Sequence, residues 1–312
     1  MSVIGVDVGG TKIAAGRLGP GHALQDSRVV ATPPDAAEVV ATVADLVRTL
    51  ADSTPDPVTA VGVGIPATID SATGIVGASN HTGMDGLHAQ DVLQEAVPVP
   101  VVVDNDGNLA ALAEHRLGAA RGHRDAVLLT LGTGIGGGLI VGGEVFRGGH
   151  GQGAELGHVV VKGDGPPCQG GCPNHGCVET MCSGTSLARD LNAFAAANPG
   201  TPLAALHAEG RLDSRAGLDL ARAGDPDAIA IFAEAGRWLG VAVASLCNIF
   251  DPDVVVIGGG VSAAGDLLLA PARDEYQRRA LPPTRRAPLV VAELGPDAGM
   301  VGAGILAAES AP

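Results

Sequence analysis

Residues 3–12 read VIGVDVGGTK, and a stretch of the same kind, AVLLTLGTGIGGG, occupies residues 126–138. Each begins as a run of branched apolar residues, which is typical of a buried strand, and breaks into glycines with a hydroxyl residue among them. A third run of this kind, DVVVIGGGVS, occupies residues 253–262. The first two stretches indicate that a strand followed by a glycine turn was duplicated, once in each half of the chain.

Glycine loops that directly follow strands favour contact with phosphate. Glycine permits positive φ and lets backbone N–H groups approach an anion closely. Thr11, Thr133 and Ser262 add a hydroxyl donor to each loop. One such loop is often only a tight turn, but three of them make phosphate or nucleotide contact the better interpretation. A Rossmann dinucleotide site is disfavoured, because no G-x-G-x-x-G opens a helix with an acidic partner ~20 residues on, and there is no Walker sequence.

The rest of the chain alternates predicted strands and helices, which is the pattern of an α/β fold. Further strands are predicted at residues 28–31, 59–65 and 99–103, and helices at residues 36–51, 109–117, 228–249 and 302–310. We expect two domains. The small domain covers residues 1–118 and also includes the C-terminal helix, residues 301–312. The large domain covers residues 119–300.

Composition disfavours several classes of protein. The 312 residues include 19 basic and 34 acidic side chains, a formal net charge of −15, without a run of Lys or Arg. A surface for nucleic acid or for an anionic membrane is therefore not expected. The first residues lack the features of a signal peptide, and no apolar stretch is expected to approach the ~18–20 residues of a membrane span. We expect a cytoplasmic protein.

Three of the five cysteines fall within ten residues, and one histidine stands ten residues before the first of them. Thiolates and an imidazole at this spacing suit a closed tetrahedral Zn²⁺ site. The candidate ligands are His158, Cys168, Cys172 and Cys177. Glu155 and Glu179 flank them and are not needed by the metal, so a structural zinc would hold two carboxylates in a nearby pocket. The alternative is a disulfide pair with a spare thiol.

Asp104, Asn105 and Asp106 follow a predicted strand and precede a predicted helix, where open α/β sheets bind ligands. A carboxylate there can accept a proton from a substrate hydroxyl, and an adjacent amide can hold that hydroxyl. The alternative is a turn and helix cap, for which Asp and Asn are favoured in any case. With the glycine loops, the carboxylates fit phosphoryl transfer, which needs backbone donors, a divalent cation and a carboxylate at the attacking hydroxyl. The chain has neither the G-x-S-x-G of a serine hydrolase nor the H-E-x-x-H of a zinc protease.

In this order along the chain, the motifs resemble those of the ROK family (repressors, open reading frames, kinases), and most of all its glucokinase branch. The matching residues are Asp7-Val8-Gly9-Gly10-Thr11-Lys12, Asn80, Asn105-Asp106-x-Asn108, residues 131–138, Glu155-x-Gly157-His158, Cys172-x4-Cys177-x-Glu179 and residues 257–261. The resemblance implies an α/β, actin/hexokinase-like fold, which is a duplicated ribonuclease-H-like architecture of two domains with an interdomain cleft.

The resemblance also implies an ATP-dependent kinase that transfers the γ-phosphoryl group to the primary 6-hydroxyl of glucose or a glucose-like sugar, with Asp106 as general base. The residues similar to the family's sugar ligands are Asn80, Asn105, Asp106, Glu155, His158 and Glu179. The residues similar to its nucleotide-binding groups are Asp7, Gly9, Gly10, Thr11, Lys12, Gly132, Thr133, Gly134, Gly258, Gly259 and Gly260. Mg²⁺ would arrive with the ATP, Zn²⁺ would be structural, and the protein would be a homodimer or homotetramer.

Four positions depart from the family pattern. Its Cys-x-Cys is here Cys168-x3-Cys172, its Asn-x-x-Gly-Trp ends in Met84, a Gly is Ala67 and a Glu is Asp104. Since the resemblance places Met84 and Ala67 near the expected sugar, the alternative substrate is a modified one: an amino-hexose such as kanosamine, N-acetylmannosamine, or a C7 cyclitol. Polyphosphate is the alternative donor. The alternative of another class is a non-catalytic, sugar-sensing ROK protein, although a repressor would need a DNA-binding domain ahead of Asp7.

Overall fold

The computed structural model describes residues 2–70, 73–77, 83–169 and 171–311. The strands are β1 (Ser2–Val8), β2 (Lys12–Leu18), β3 (Leu24–Ala31), β4 (Val58–Ile65), β5 (Val101–Asn105), β6 (Ala126–Leu131), β7 (Ile135–Val141), β8 (Glu144–Val145), β9 (Val254–Gly258) and β10 (Leu289–Val291). The helices are α1 (Ala36–Asp52), α2 (Ala89–Ala96), α3 (Asp106–Arg116), α4 (Val178–Cys182), α5 (Gly184–Ala197), α6 (Pro202–Ala208), α7 (Ser214–Arg222), α8 (Pro226–Phe250), α9 (Asp266–Arg279) and α10 (Ala298–Ser310).

Both sheets have five strands in the same topological order. The first runs β3-β2-β1-β4-β5, and the second, written from its other edge, runs β8-β7-β6-β9-β10. In the first sheet β1 pairs with β2 in antiparallel and with β4 in parallel, and β4 pairs with β5 in parallel. In the second, β7 and β8 are antiparallel and β9 and β10 are parallel. The repeated order confirms the duplication that the glycine-ended strands predict.

The contacts divide the chain into two compact units. Unit 1 comprises Met1–Leu128, Gly137–Ala154 and Ala292–Pro312, and unit 2 comprises Leu129–Gly136 and Glu155–Val291. The division passes within β6 and β7. The domain boundaries proposed from the sequence, after residue 118 and before residue 301, stay a prediction.

Glycines let α10 lie directly on the first sheet. A Cβ at Gly5 of β1 would stand 1.9 Å from the carbonyl oxygen of Met300, and one at Gly62 of β4 would stand 1.9 Å from that of Ala303. Glycine in a strand interior lacks a side chain to pack and often marks such a close approach of another backbone. These residues therefore fix the C-terminal helix on the strands that carry the first glycine turn.

Helix α1 covers the sheet in unit 1 with an apolar stripe. Its buried residues follow the helical repeat and are Val39, Val40, Val43, Ala44, Leu46, Val47 and Leu50. Asp35 caps the helix, since its carboxylate accepts hydrogen bonds from the N–H groups of Ala37 and Glu38. The predicted helix at residues 36–51 is thereby confirmed.

Helix α8 corrects one expectation from the sequence. Among the described residues it is the one helix long and apolar enough to cross a membrane, judged by length and composition alone. Half of its most apolar window is buried inside the protein. The helix packs closely on α9, because a Cβ at Gly236 would stand 2.2 Å from the carbonyl oxygen of Leu268 and one at Gly240 would stand 2.4 Å from that of Ala272. This is the packing of a core helix.

We predict that Gly62→Ala lowers the stability of unit 1 by about 3 kcal/mol, because the added methyl group meets a backbone carbonyl that cannot turn away. The matched control is Gly149→Ala, since a Cβ at Gly149 would meet nothing within 4 Å. Thermal unfolding of both variants measures the effect. Equal melting temperatures for Gly62→Ala and wild type would contradict this packing.

Candidate functional site

Three predicted site residues of unit 1 lie at one edge of the first sheet. The strand register places Asp7 of β1 beside Gly64 of β4, and Gly64 beside Asp104 of β5. A Cβ at Gly64 would stand 3.7 Å from the Cα of Asp106. Because β1, β4 and β5 are parallel, this edge is the carboxyl end of all three strands, where α/β sheets bind ligands.

Asp106 is the first residue of α3, which begins three residues before the sequence predicts. The cap of the helix is Asn105, whose side-chain oxygen accepts the N–H of Asn108 at 3.1 Å. The half-buried Asp106 carboxylate accepts its neighbour's N–H, that of Gly107, at 2.8 Å. The structure therefore gives the capping role to Asn105 and leaves Asp106 in the first turn, where the helix dipole favours an anionic side chain.

The other end of the Asn105 side chain also serves the fold. Its amide nitrogen donates to the carbonyl oxygen of Ala67 at 3.1 Å. The amide nitrogen thus ties the end of β5 to the turn after β4, while the amide oxygen caps α3. A contact of Asn105 with a sugar hydroxyl stays a prediction.

Arg147 is a neighbour of this edge that the sequence analysis missed. Its Nε donates a hydrogen bond to one carboxylate oxygen of Asp104 at 2.8 Å, and its Nη2 lies 2.6 Å from the same oxygen in an ion pair. The Asp104 side chain is 6% exposed, so this is a nearly buried ion pair. A lone Arg in a glycine-rich loop carries no local signal of such a partner.

The turn after β1 holds the predicted phosphate loop of unit 1. The N–H of Gly9 donates to the carbonyl oxygen of Lys12 at 2.9 Å, and Thr32 holds the turn from outside by donating its hydroxyl to the carbonyl oxygen of Gly9. Gly10, Thr11 and Lys12 are exposed. Burial raises the pKa of Asp7, and the charge of Lys12 partly offsets this. A cation bound at this edge would stabilise the Asp7 carboxylate.

Two glycine loops of unit 2 meet at the ends of β6 and β9. The first is closed by a hydrogen bond from the N–H of Gly132 to the carbonyl oxygen of Gly134 at 2.9 Å. The second contains Gly259, with φ of 81°, whose Cβ would stand 2.4 Å from the carbonyl oxygen of Leu131. Only glycine tolerates both the positive φ and this approach. Gly258 is buried as the last residue of β9.

Both loops line a cavity of about 710 Å³ that lies wholly in unit 2. Gly132, Thr133 and Gly260 contribute from the loops. Its other walls come from the start of α5, from α7, from α8 and from the turn after β9: Gly184, Thr185, Leu187, Ala188, Asp213, Ser214, Arg215, Leu218, Asp219, Arg222, Phe232, Val261 and Ala263. The hydroxyl of Thr185 donates to the carbonyl oxygen of Thr133 at 2.8 Å, which ties α5 to the loop. Sequence reasoning missed the α5 and α7 residues, because nothing local marks them as neighbours of the loops.

The four candidate metal ligands come together in unit 2. One ligand atom from each of His158, Cys168, Cys172 and Cys177 lies within 4.8 Å of all the others. The sulfur atoms of Cys172 and Cys177 are 4.0 Å apart, and Nδ1 of His158 is 3.5 Å from the sulfur of Cys168. A tetrahedral ion about 2.3 Å from sulfur and about 2.1 Å from nitrogen sets such atoms about 3.5–3.8 Å apart, so the residues fit Zn²⁺. The longer Cys168-x3-Cys172 spacing keeps both thiols in the set.

The alternative of a disulfide finds no support in this cluster. Cys168, Cys172 and Cys177 are free thiols, and 4.0 Å is far beyond an S–S bond of about 2.05 Å. Burial and the neighbouring thiols raise the pKa of Cys168. A divalent cation would reverse this effect, because metal ligation favours the thiolate.

Glu179 and Glu155 lie next to the cluster. The Glu179 carboxylate accepts the N–H of Ile135 at 2.8 Å with one oxygen, and its other oxygen is 3.9 Å from the sulfur of Cys168. Gly157 packs directly against Ile135, since a Cβ at Gly157 would stand 2.0 Å from the carbonyl oxygen of Ile135. Burial raises the pKa of Glu155, which nearby His158 lowers and Glu179 raises further. The structure thus gathers the predicted carboxylates of unit 2 around the candidate metal site.

Two predicted positions need separate mention. Asn80 lies outside the described residues. Met84 is 1% exposed and belongs to the apolar core of unit 1, so its side chain acts through packing.

The sequence pattern of the ROK family matches residues 3–310. A curated glucokinase of Streptomyces coelicolor is 37% identical over 99% of this chain and 98% of that protein. Among solved structures, a ROK family glucokinase from Streptomyces griseus in complex with glucose and AMPPNP has a TM-score of 0.87 and 37% identity, over 99% of this chain and 100% of that one. A ROK hexokinase from Thermus thermophilus has a TM-score of 0.81 and 38% identity, over 99% and 98%.

Proposed function

The chain belongs to the ROK family, and from this premise and the site described above we propose that it is an ATP-dependent glucose kinase. The acceptor of the γ-phosphoryl group would be the primary 6-hydroxyl of the sugar. One observation carries the proposal: a half-buried carboxylate, Asp106, stands in the first turn of α3, and its neighbour Asn105 already caps that helix. Asp106 therefore places a carboxylate at the point where parallel strands end, and a carboxylate there can accept a proton from a substrate hydroxyl.

In the proposed reaction the oxygen of the sugar hydroxyl attacks the γ-phosphorus of ATP, the bond to the bridging oxygen breaks, and ADP leaves. Asp106 accepts the hydroxyl proton. Little covalent chemistry is left to the protein in such a transfer, which depends on positioning and on stabilising charge. The register that places Asp7 and Asp104 on either side of Gly64 gives that positioning a rigid base in unit 1.

The donor is ATP in this proposal. The exposed residues Gly10 and Thr11, and the loop at Gly132–Gly134, would bind the phosphates through backbone N–H groups. The cavity of about 710 Å³ in unit 2 would take the adenosine, since it has apolar walls such as Leu218 and Phe232. Polyphosphate has no apolar part to fill such a cavity, so the cavity supports a nucleotide. Mg²⁺ bound with the nucleotide would neutralise the developing phosphate charge, and Asp7 would orient it.

Sugar recognition would rest on carboxylates and amides. The candidates are Asn80, Asn105, Glu155, His158 and Glu179. Nδ1 of His158 faces the sulfur of Cys168, so the opposite ring nitrogen, Nε2, is the one we assign to the sugar. Carboxylates accept two or more hydrogen bonds each, which suits a molecule covered with hydroxyl groups.

We propose a structural zinc held by His158, Cys168, Cys172 and Cys177. The fit of the four ligand atoms to a tetrahedron supports it. With Nδ1 of His158 on the metal, the imidazole ring would be fixed. Glu179 would be held in place as well, because it follows the ligand Cys177 by two residues. The zinc would supply rigidity to unit 2.

Further assignments rest on the family. We propose a cytoplasmic homodimer or homotetramer without a nucleic-acid or membrane partner, in keeping with the net charge of −15. The alternative is a non-catalytic sugar sensor. Measured formation of ADP from ATP in the presence of a sugar would exclude this alternative.

Asp106→Asn is expected to lower kcat by about 10²–10⁴-fold, because an amide keeps the shape of the side chain but cannot accept the proton. The melting temperature and the affinity for ATP should stay near those of the wild type. Asp227→Asn is the control, as Asp227 stands in the first turn of α8. A variant at Asp106 that keeps more than about half of the wild-type kcat would show that this residue is not the base.

Cys177→Ser is expected to lose the zinc and, with it, more affinity for glucose than for ATP, because the metal braces the residues assigned to the sugar. Metal analysis of the purified protein and KM values for both substrates measure this. Cys247→Ser is the matched control, since Cys247 is equally buried and lies outside the cluster. Zinc-free protein with full activity, or zinc retained by Cys177→Ser, would refute the assignment.

Glucose is expected to be phosphorylated measurably, and a modified gluco-configured substrate stays the alternative. The burial of Met84 favours glucose, because a core side chain changes a sugar site only through packing. The measurement is kcat/KM for glucose, mannose, glucosamine, kanosamine, N-acetylmannosamine and a C7 cyclitol. A lead of glucose by about a hundredfold, or about 2.7 kcal/mol, would exclude a relaxed site. A comparable or higher value for an amino sugar or cyclitol would establish one.

A further inference from the structure

The pair Asp104–Arg147 lies outside the chemistry assigned so far, although it adjoins the proposed base. Asp104 is 6% exposed, and Arg147 is 33% exposed. Nε of the guanidinium donates a hydrogen bond to the carboxylate oxygen Oδ2 at 2.8 Å, and Nη2 forms an ion pair with the same oxygen at 2.6 Å. Hydrogen bonds between charged groups at such distances are the strong ones, and they fix both partners in orientation.

The second oxygen of Asp104 organises the start of α3. Oδ1 accepts the backbone N–H of Asn105 at 2.8 Å and the side-chain amide of Asn108 at 3.0 Å. Asn105 and Asn108 in turn hold each other through the cap of the helix, at 3.1 Å. Asp106 lies between them in the chain, so its backbone is held from both sides by groups that end at one carboxylate.

The backbone of Arg147 closes the loop on its other side. Its carbonyl oxygen accepts the N–H of Gly153 at 2.9 Å, which makes residues 147–153 a compact turn. Ala154 follows with φ of 67°, a strained value for a residue with a side chain. Arg147 therefore joins the turn of residues 147–153 to the helix start that carries Asp106.

We propose that Arg147 is a positioning residue for phosphoryl transfer, which orients Asp106 through Asp104. This proposal rests on the proposed function. Arg147 touches neither reacting group in it and acts only through Asp104.

Arginine suits this role better than lysine does. Its planar guanidinium presents two donors to one carboxylate at a fixed angle, while lysine presents one flexible point charge. Removal of the guanidinium leaves a nearly buried carboxylate two residues from Asp106 without its charged partner, which a folded chain answers by shifting the groups around it. The first groups to shift would be those bound to Asp104, at the start of α3.

The experiment compares Arg147→Met and Arg147→Lys with the wild type, using glucose and ATP. Arg147→Met should lower kcat by about 10- to 100-fold, because small misplacements of a reacting group have costs of that order. The KM for ATP should stay within about twofold, and Arg147→Lys should recover part of the lost kcat. In the background of Asp106→Asn, Arg147→Met should lower kcat no further, since the base through which it acts is already gone.

Arg116→Met is the matched control. Arg116 is the last residue of α3, the helix that begins with Asp106. It is 24% exposed and pairs with Glu309 at 2.7 Å. Its loss removes a more exposed ion pair, so it should lower the melting temperature less than the loss of Arg147 does and leave kcat unchanged. An Arg147→Met variant that loses stability alone, or one that lowers kcat equally with and without Asp106, would overturn the inference. A wild-type protein without turnover of any sugar would overturn the proposed function and this inference together.

Discussion

Backbone-to-backbone packing at glycine is the constraint on which both units depend. A Cβ at Gly107, the second residue of α3, would stand 2.3 Å from the carbonyl oxygen of Gly137. The helix that carries Asp106 is thereby seated on β7 with no side chain in the way. In unit 2, Gly259 approaches the end of β6 in the same manner, and Gly157 approaches Ile135. Elements that touch through their backbones have little room to slide, which suits a site that acts by positioning.

On this frame the polar groups are held by one another. Asp104 receives three hydrogen bonds, one of them from Arg147, with which it also forms an ion pair, and so serves as the anchor of the helix start. Glu179 receives the N–H of Ile135 while its other oxygen lies beside the sulfur of Cys168. The proposed base Asp106 thus lies two residues from Asp104, which holds the helix start, and the proposed sugar ligand Glu179 is itself bonded to the backbone. The proposed sugar site would therefore rest on carboxylates and amides, since four Phe, one Tyr and one Trp in 312 residues offer few aromatic platforms.

Local pattern was sufficient for much of this account. The glycine-ended strands predicted the duplicated sheets, and the spacing of His158 and the cysteines predicted a cluster that the fold brings together. The start of α3 was predicted three residues late, because Asp and Asn favour turns and caps alike and only the geometry of Asn105 decides between them. Arg147 and the α5 and α7 walls of the cavity were missed, since their partners are distant in sequence. The apolar length of α8 was underestimated, because a few charged residues interrupt its apolar sequence. Its packing on α9 explains why the helix is so apolar.

The central claim is that the chain transfers the γ-phosphoryl group of ATP to the 6-hydroxyl of glucose. Phosphorus NMR of a reaction containing the protein, Mg²⁺, ATP and glucose tests it most directly, because it identifies the acceptor of the phosphoryl group. The account predicts loss of the γ-phosphate resonance with equal growth of ADP and of glucose 6-phosphate. Growth of inorganic phosphate in place of a sugar phosphate, or ATP that stays intact, would contradict it.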